Sequence, residues 1–166
     1  MTHIRSLKTE DVEQVVSLWD AACIEAVGYP LGQEDAERIA DNLRRTVDHD
    51  QAHCFVVENE GILVGFVTCA ISTHPVMPGA LGEVEDLYVQ PEFRSGVQAE
   101  LVRQAVLWLK RYPVDIIRTR VDTDEPETLT FWHSQKWEQN ELIFNIYGCV
   151  PEDAQSQAVW DSYRLD

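Results

Sequence analysis

The chain has 166 residues, with 13 Lys and Arg against 29 Asp and Glu and a formal net charge of −16. That length suits one domain with its own core. A composition of 45% apolar and 25% charged residues is that of a globular protein and excludes disordered, collagen-like and coiled-coil chains. The charge excludes nucleic-acid binding through bulk electrostatics, because phosphate backbones attract basic surfaces.

No apolar run approaches the roughly 20 residues that cross a bilayer, and Met1 to Thr9 has no continuous apolar core of the signal-peptide kind. The expectation is a cytoplasmic protein with no membrane partner. Cys23, Cys54, Cys69 and Cys149 are scattered without CxxC spacing, which reads as reduced, buried thiols.

In chain order, His3 to Leu7 alternates as a short strand. Thr9 is positioned to cap a helix whose first turn holds Glu10, Asp11 and Glu13, where carboxylates suit the positive helix end. Val12, Val15, Val16, Trp19, Ala22, Cys23 and Ala26 then recur at helical spacing, and Gly28, Pro30 and Gly32 end the run. A second helix is expected over Glu34 to Val47. His53 to Glu58 and Ile62 to Ser72 are β-rich runs around Asn59-Glu60-Gly61, which predicts a hairpin. Glu83 to Val89 is a further strand, stopped by Pro91. Ser95 to Arg111 has the helical period, with Trp108 on its apolar side. Pro113 breaks it, Val114 to Val121 reads as a buried strand, Pro126 opens a short helix to about Gln135, and Leu142 to Val150 is a last strand.

This order, β-α-α-β-β-β-α-β-α-β, predicts an α/β (α+β) fold. A mixed, mostly antiparallel central sheet is flanked by helices, with parallel pairing where a helix crosses over. Residues 1–150 are expected to form one domain and 151–166 a tail, with Trp160 and Tyr163 available for a partner contact.

Glu85-Asp86-Leu87-Tyr88-Val89-Gln90-Pro91-Glu92-Phe93-Arg94-Ser95-Gly96-Val97-Gln98-Ala99 runs from a strand through a tight turn into a helix. The unpaired N–H groups and dipole of a helix start form an anion site suited to a diphosphate. Arg94 and Ser95 stand where they can add a cation and a hydroxyl. The His residues show no metal spacing, so no metal is expected, and no G-x-S-x-G elbow is present.

Val89, Pro91, Phe93 and Arg94 resemble, in register, the V-x-P-x-[YF]-R signature of the GCN5-related N-acetyltransferase (GNAT) superfamily. The element order over Thr2 to Val150 is similar as well. The resemblance implies an acetyl-CoA cosubstrate, its pantetheine arm along Leu87, Tyr88 and Val89 where the strand splays from its neighbour. The diphosphate would lie at Arg94, Ser95, Gly96, Val97, Gln98 and Ala99. Local positive charge for it is expected from Arg94, Arg103, Lys110 and Arg111.

The resemblance also implies transfer of acetyl directly to a primary amine of a small cationic molecule or a protein. Polyamine-acetylating members carry a Glu-Asp pair in the register of Glu85-Asp86, which makes Glu85 the base and Asp86 an ammonium site. Histone-acetylating members place a glutamate at the position of Glu83. Simple alternation puts Glu83, Glu85, Leu87 and Val89 on one face and Val84, Asp86 and Tyr88 on the other. Members often dimerise.

Two positions depart from the pattern. Gln98 stands where the turn usually has Gly or Ala, and either crowds the phosphates or donates to them. Trp132 stands where a Tyr commonly protonates the leaving thiolate, and an indole N–H is no acid at neutral pH. His133, Tyr88 and Tyr147 are the alternative donors. Both departures favour the rival reading, a member without turnover that serves as an acyl-CoA sensor or protein-interaction module.

Overall fold

A computed structural model describes residues 1–73, 75–76, 78–122 and 124–139. The elements are β1 (Thr2–Ser6), α1 (Val12–Val27), α2 (Gln33–Val47), β2 (Ala52–Asn59), β3 (Ile62–Thr73), β4 (Ala80–Val89), α3 (Arg94–Leu109), β5 (Val114–Thr119) and α4 (Pro126–Ser134). The expected order is reproduced through α4. The strand expected over Leu142–Val150 lies outside the described residues, as do Tyr147, Cys149, Trp160 and Tyr163. Met1–Pro126 forms one compact unit, and the described residues from Glu127 onward belong to a second.

The sheet lies in the first unit in the order β1-β2-β3-β4-β5. The first three pairings are antiparallel and β4–β5 is parallel, as the crossover through α3 requires. The β2–β3 hairpin turns on Glu60 and Gly61, both at positive φ, the two-residue geometry that follows strand twist.

Alternation on the strands sends the chain's apolar residues to two layers. Cys54, Val56 and Phe66 face α1 and α2, where they join Val12, Val15, Leu18, Ala40 and Leu43 in one core. The opposite face receives α3. The His53 ring of β2 stacks on Trp108 at 5.2 Å, and Leu101, Ala105 and Leu109 are fully buried. β3 is buried on both faces over Leu63–Cys69, which is why its sequence is a nearly unbroken apolar run.

Thr9 does not act as the expected cap. It opens a 3-10 turn over Thr9–Asp11, and the Asp11 carboxylate accepts the Lys8 N–H at 2.8 Å. Asp11 also binds both terminal nitrogens of Arg5, at 2.6 and 2.9 Å. The hydrogen bonds from Arg5, which outweigh the cost of burial, hold its carboxyl below the ordinary range.

Candidate active site

β4 changes partners halfway along. Ala80–Val84 are paired on both sides, with β3 and with β5. The β5 ladder ends at Val84↔Thr119, so among the described residues Glu85–Val89 pair with β3 alone. Leu87, Tyr88 and Val89, the stretch expected to splay, lie beyond the end of that ladder.

At the same point the β3 ladder steps from Cys69↔Val84 to Val67↔Leu87. One residue, Thr68, therefore opposes two, Glu85 and Asp86, which is a β-bulge. The extra residue resets the alternation expected from sequence. Val84, Leu87 and Val89 pair with Cys69, Val67 and Gly65 on the α3 side. Glu83 and Tyr88 pair with Ala70 and Phe66 on the α1–α2 side. Glu83 and Tyr88 thus share a face, against the simple period-two reading. The strands approach closely here: a Cβ on Gly65 would lie 2.8 Å from Val89 Cγ2 and 2.9 Å from the Tyr88 carbonyl.

On that α1–α2 side a cavity of about 470 Å³ opens. Trp19 of α1 and Ile39 and Leu43 of α2 supply its apolar wall. Thr68, Glu83, Glu85 and Asp86 line the sheet side, with Arg120 beyond the end of β5. The structure therefore brings all three candidate carboxylates to one cavity.

Their surroundings differ. Glu83 accepts from Arg118 Nε at 2.9 Å and from Arg120 at 3.4 Å and is held as an ion-paired carboxylate. Asp86 accepts from the Thr68 hydroxyl at 3.3 Å, while its own N–H donates to that oxygen at 3.2 Å. Glu85 makes no hydrogen bond or ion pair among the described residues. Water reaches both Glu85 and Asp86, but protein surrounds them in the concave site. Desolvation raises the carboxyl pKa of each; for Glu85 the neighbouring Asp86 and Glu83 charges add to the rise and the Arg120 charge opposes it. A carboxylate that is unpaired, accessible and raised in pKa has the properties of a general base.

The turn after β4 has a more tightly engaged cation than expected. Pro91–Phe93 form a 3-10 turn, then Ser95 (ψ 107°) and Gly96 (φ 77°) leave helical geometry, so the regular helix begins at Val97. Gly96 is required by this positive φ, and a Cβ there would meet open space. The N–H groups of Val97, Gln98 and Ala99 form the first helical turn, the position of an anion site. Gln98 is half-buried there.

Arg94 does not point its charge freely at this turn. Its Nε donates to the Val89 carbonyl at 2.9 Å, and its terminal nitrogen binds Glu25 of α1 at 2.5 and 2.6 Å. Its guanidinium carbon lies 5.8 Å from the Tyr88 ring centre. Burial, followed by the Glu25 charge, keeps the Tyr88 hydroxyl protonated above its usual range. Arg103 is likewise paired, with Glu100 at 2.9 Å. Lys110 and Arg111 follow the far end of α3. The basic cluster expected around α3 is therefore split up: two of its four members are neutralised by acids, and the other two stand a helix length from the turn.

In the second unit, Trp132 packs edge-on against Phe131 and Trp137. Cys54 and Cys69 are buried, and Cys23 is partly so. Burial pushes the Cys69 thiol up to about 12, which removes it as a nucleophile. Sequence reasoning missed Trp19, Thr68 and Arg120 as cavity residues and Glu25 as the partner of Arg94. No local pattern marks them, since each acquires its role from a residue distant in sequence.

A family model described as the acetyltransferase (GNAT) family matches residues 13–135. No curated protein matches the chain. Among solved structures, a transcriptional regulator from Bacillus halodurans superposes with TM-score 0.75 at 15% identity, over 89% of this chain and 99% of that one. An aminoglycoside acetyltransferase from an uncultured soil metagenomic sample, in complex with sisomicin, gives TM-score 0.69 at 18% identity over 90% and 96%. An aminoglycoside N-acetyltransferase in complex with CoA gives 0.72 at 16% over 90% and 96%.

Proposed function

The chain belongs to the GNAT acetyltransferase family, and from that premise we propose that it moves an acetyl group from acetyl-CoA directly to a primary amine, on a small cationic molecule or a protein. The observation that carries the proposal is the coincidence, on one strand, of the lost β5 pairing and the bulge at Glu85–Asp86. Two structural neighbours are aminoglycoside acetyltransferases, which supports an amine acceptor. The surplus of negative charge favours a cationic one.

The residues fit the cosubstrate at the turn. The positive φ of Gly96 lets α3 start cleanly at Val97, with open space beside the turn. Ser95 through Ala99 would hold the diphosphate, and the edge of Leu87, Tyr88 and Val89 would hold the pantetheine arm. Acetyl-CoA supplies an acyl group activated as a thioester. The cavity carboxylates do the rest: Asp86 orients the incoming ammonium, and Glu85 removes its proton so that the nitrogen lone pair can attack. Attack on the thioester carbonyl forms the N–C bond and the C–S bond then breaks. One ammonium proton resides on Glu85, and the second proton lost by the nitrogen passes to the departing thiolate, giving free CoA thiol. Arg94 acts on this reading through the backbone, tying Val89 and α1 to the turn.

The rival reading, binding or interaction without turnover, draws on one observation: the pairing of Arg94 with Glu25 leaves the turn short of free positive charge. Calorimetric titration with acetyl-CoA, followed by release of free thiol across a panel of amines, separates the two. Binding with amine-dependent thiol release is expected. Binding without release would establish a sensor, and no binding at millimolar acetyl-CoA would leave only an interaction module.

A further inference from the structure

The cavity's charge is two-sided. At one end Glu85 and Asp86 make no ion pair among the described residues. At the other, Glu83 is shared by two guanidiniums, at 2.9 Å to Arg118 and 3.4 Å to Arg120. Arg118 holds the closer of the two contacts, which leaves the Arg120 guanidinium the less tightly engaged. Of the two, Arg120 is the one that lines the cavity. The Arg120 side chain is 66% exposed, so its guanidinium faces are open to a ligand. A purely polycationic acceptor would make no favourable contact with this guanidinium, whereas an acceptor that also carries a carboxylate would. Trp19, Ile39 and Leu43 add an apolar wall between the other groups.

Taking this cavity as the acceptor site, which rests on the function proposed above, we propose that the acceptor is a zwitterionic amine. Its carboxylate is bound by Arg120 and its ammonium by the Glu85–Asp86 end, as in a free amino acid or a chain-terminal residue. Arg120 is then a specificity-determining residue that distinguishes an amino acid from the amine left when its carboxylate is removed. The guanidinium fork matches a carboxylate with two parallel hydrogen bonds, and a charge-assisted contact of this kind is worth about tenfold or more in affinity.

The test uses matched pairs that differ only by the carboxylate: lysine against cadaverine, and phenylalanine against phenethylamine. Binding to the whole chain is measured by calorimetry with CoA present, and turnover by thiol release from acetyl-CoA. The expected result is that at least one amino acid binds about tenfold or more tightly than its decarboxylated partner. Arg120→Gln should bring that ratio to one or below, with the loss in KM and kcat little changed, and Arg120→Lys should restore part of it. A ratio of one or less in the natural protein, a ratio unchanged in Arg120→Gln, or no binding by either member of both pairs would overturn the proposal. Tight, Arg120-dependent binding without thiol release would uphold it while overturning the transferase reading.

Discussion

The two halves of β4 are made of similar material and do different work. Ala80–Val84 lie between β3 and β5, with both edges paired. Among the described residues, Glu85–Val89 have one paired edge, a bulge, and carboxylates open to a cavity. In the first half both edges are paired to neighbouring strands, and its one cavity carboxylate, Glu83, is held by Arg118 and Arg120. In the second, an unpaired edge and unpaired acid are kept within a few residues of each other by the rigid first half. A strand can thus be a wall and a site in succession, and the boundary is one extra residue opposite Thr68.

Five substitutions probe that division. The largest effect is expected from Glu85→Gln, which removes the unpaired base from the open half. Amine-dependent thiol release should fall about 100-fold or more, while acetyl-CoA affinity measured by calorimetry stays within about twofold. Glu83→Gln, in the paired half, should cost far less in kcat because its carboxylate is held by Arg118 and Arg120. Equal losses in the two variants would erase the distinction.

Next is Gly65→Ala, which presses a methyl group against Val89 and the Tyr88 carbonyl at under 3 Å. It should lower unfolding free energy by about 1–3 kcal/mol in urea titrations. The same change at Gly82, in the paired half, meets only side-chain carbons of Ile117 and Leu109 at 3.2 Å or more and should cost less.

Thr68→Val removes the hydroxyl that bridges the bulge. Loss of its two contacts with Asp86 should destabilise the fold by about 1 kcal/mol. The Asp86 carboxyl should rise further, since that hydrogen bond opposes the rise caused by burial. Carboxyl chemical shifts followed across pH would measure it.

The smallest effect is on stability against pH. Glu85 and Asp86 have raised carboxyl pKa values in the fold, so the folded state binds protons more readily than the unfolded chain. Their contribution is present below the ordinary carboxylate range and is lost as pH rises through the raised values. Glu85→Gln should therefore be slightly more stable than the natural protein at neutral pH, by less than about 1 kcal/mol given its contact with water. That gain should vanish below the ordinary glutamate range. Asp11, in the scaffold, has the opposite sign, because its lowered pKa contributes stability above the ordinary range that is lost as pH falls. Thermal melts of Glu85→Gln and of the natural protein from pH 3 to 8 would check both directions.

Much of the fold was legible locally. Helical spacing in Val12–Ala26 and Val97–Leu109, the Asn59-Glu60-Gly61 turn and the stop at Pro91 each depend on residues close in sequence, and the elements form where those signals stand. The turn at Gly96 and the presence of three acids on one strand were legible for the same reason. The facing of those acids was not, because alternation assumes an unbroken ladder and the bulge arises from how β4 meets β3. The Arg94 guanidinium was misjudged in the same way: its partner, Glu25, is 69 residues away.

Residue spacing by itself determined the order of strands and helices, the place where a helix begins after a bend, and which side chains are able to ionise near it. Tertiary structure decided which of those side chains remain unpaired, since neutralisation by Arg118 or Glu25 depends on distances of a few ångströms between strands and helices remote in the chain. Periodicity describes one element against water. Charge pairing and desolvation describe several elements against each other, and they come into being only once the sheet is assembled.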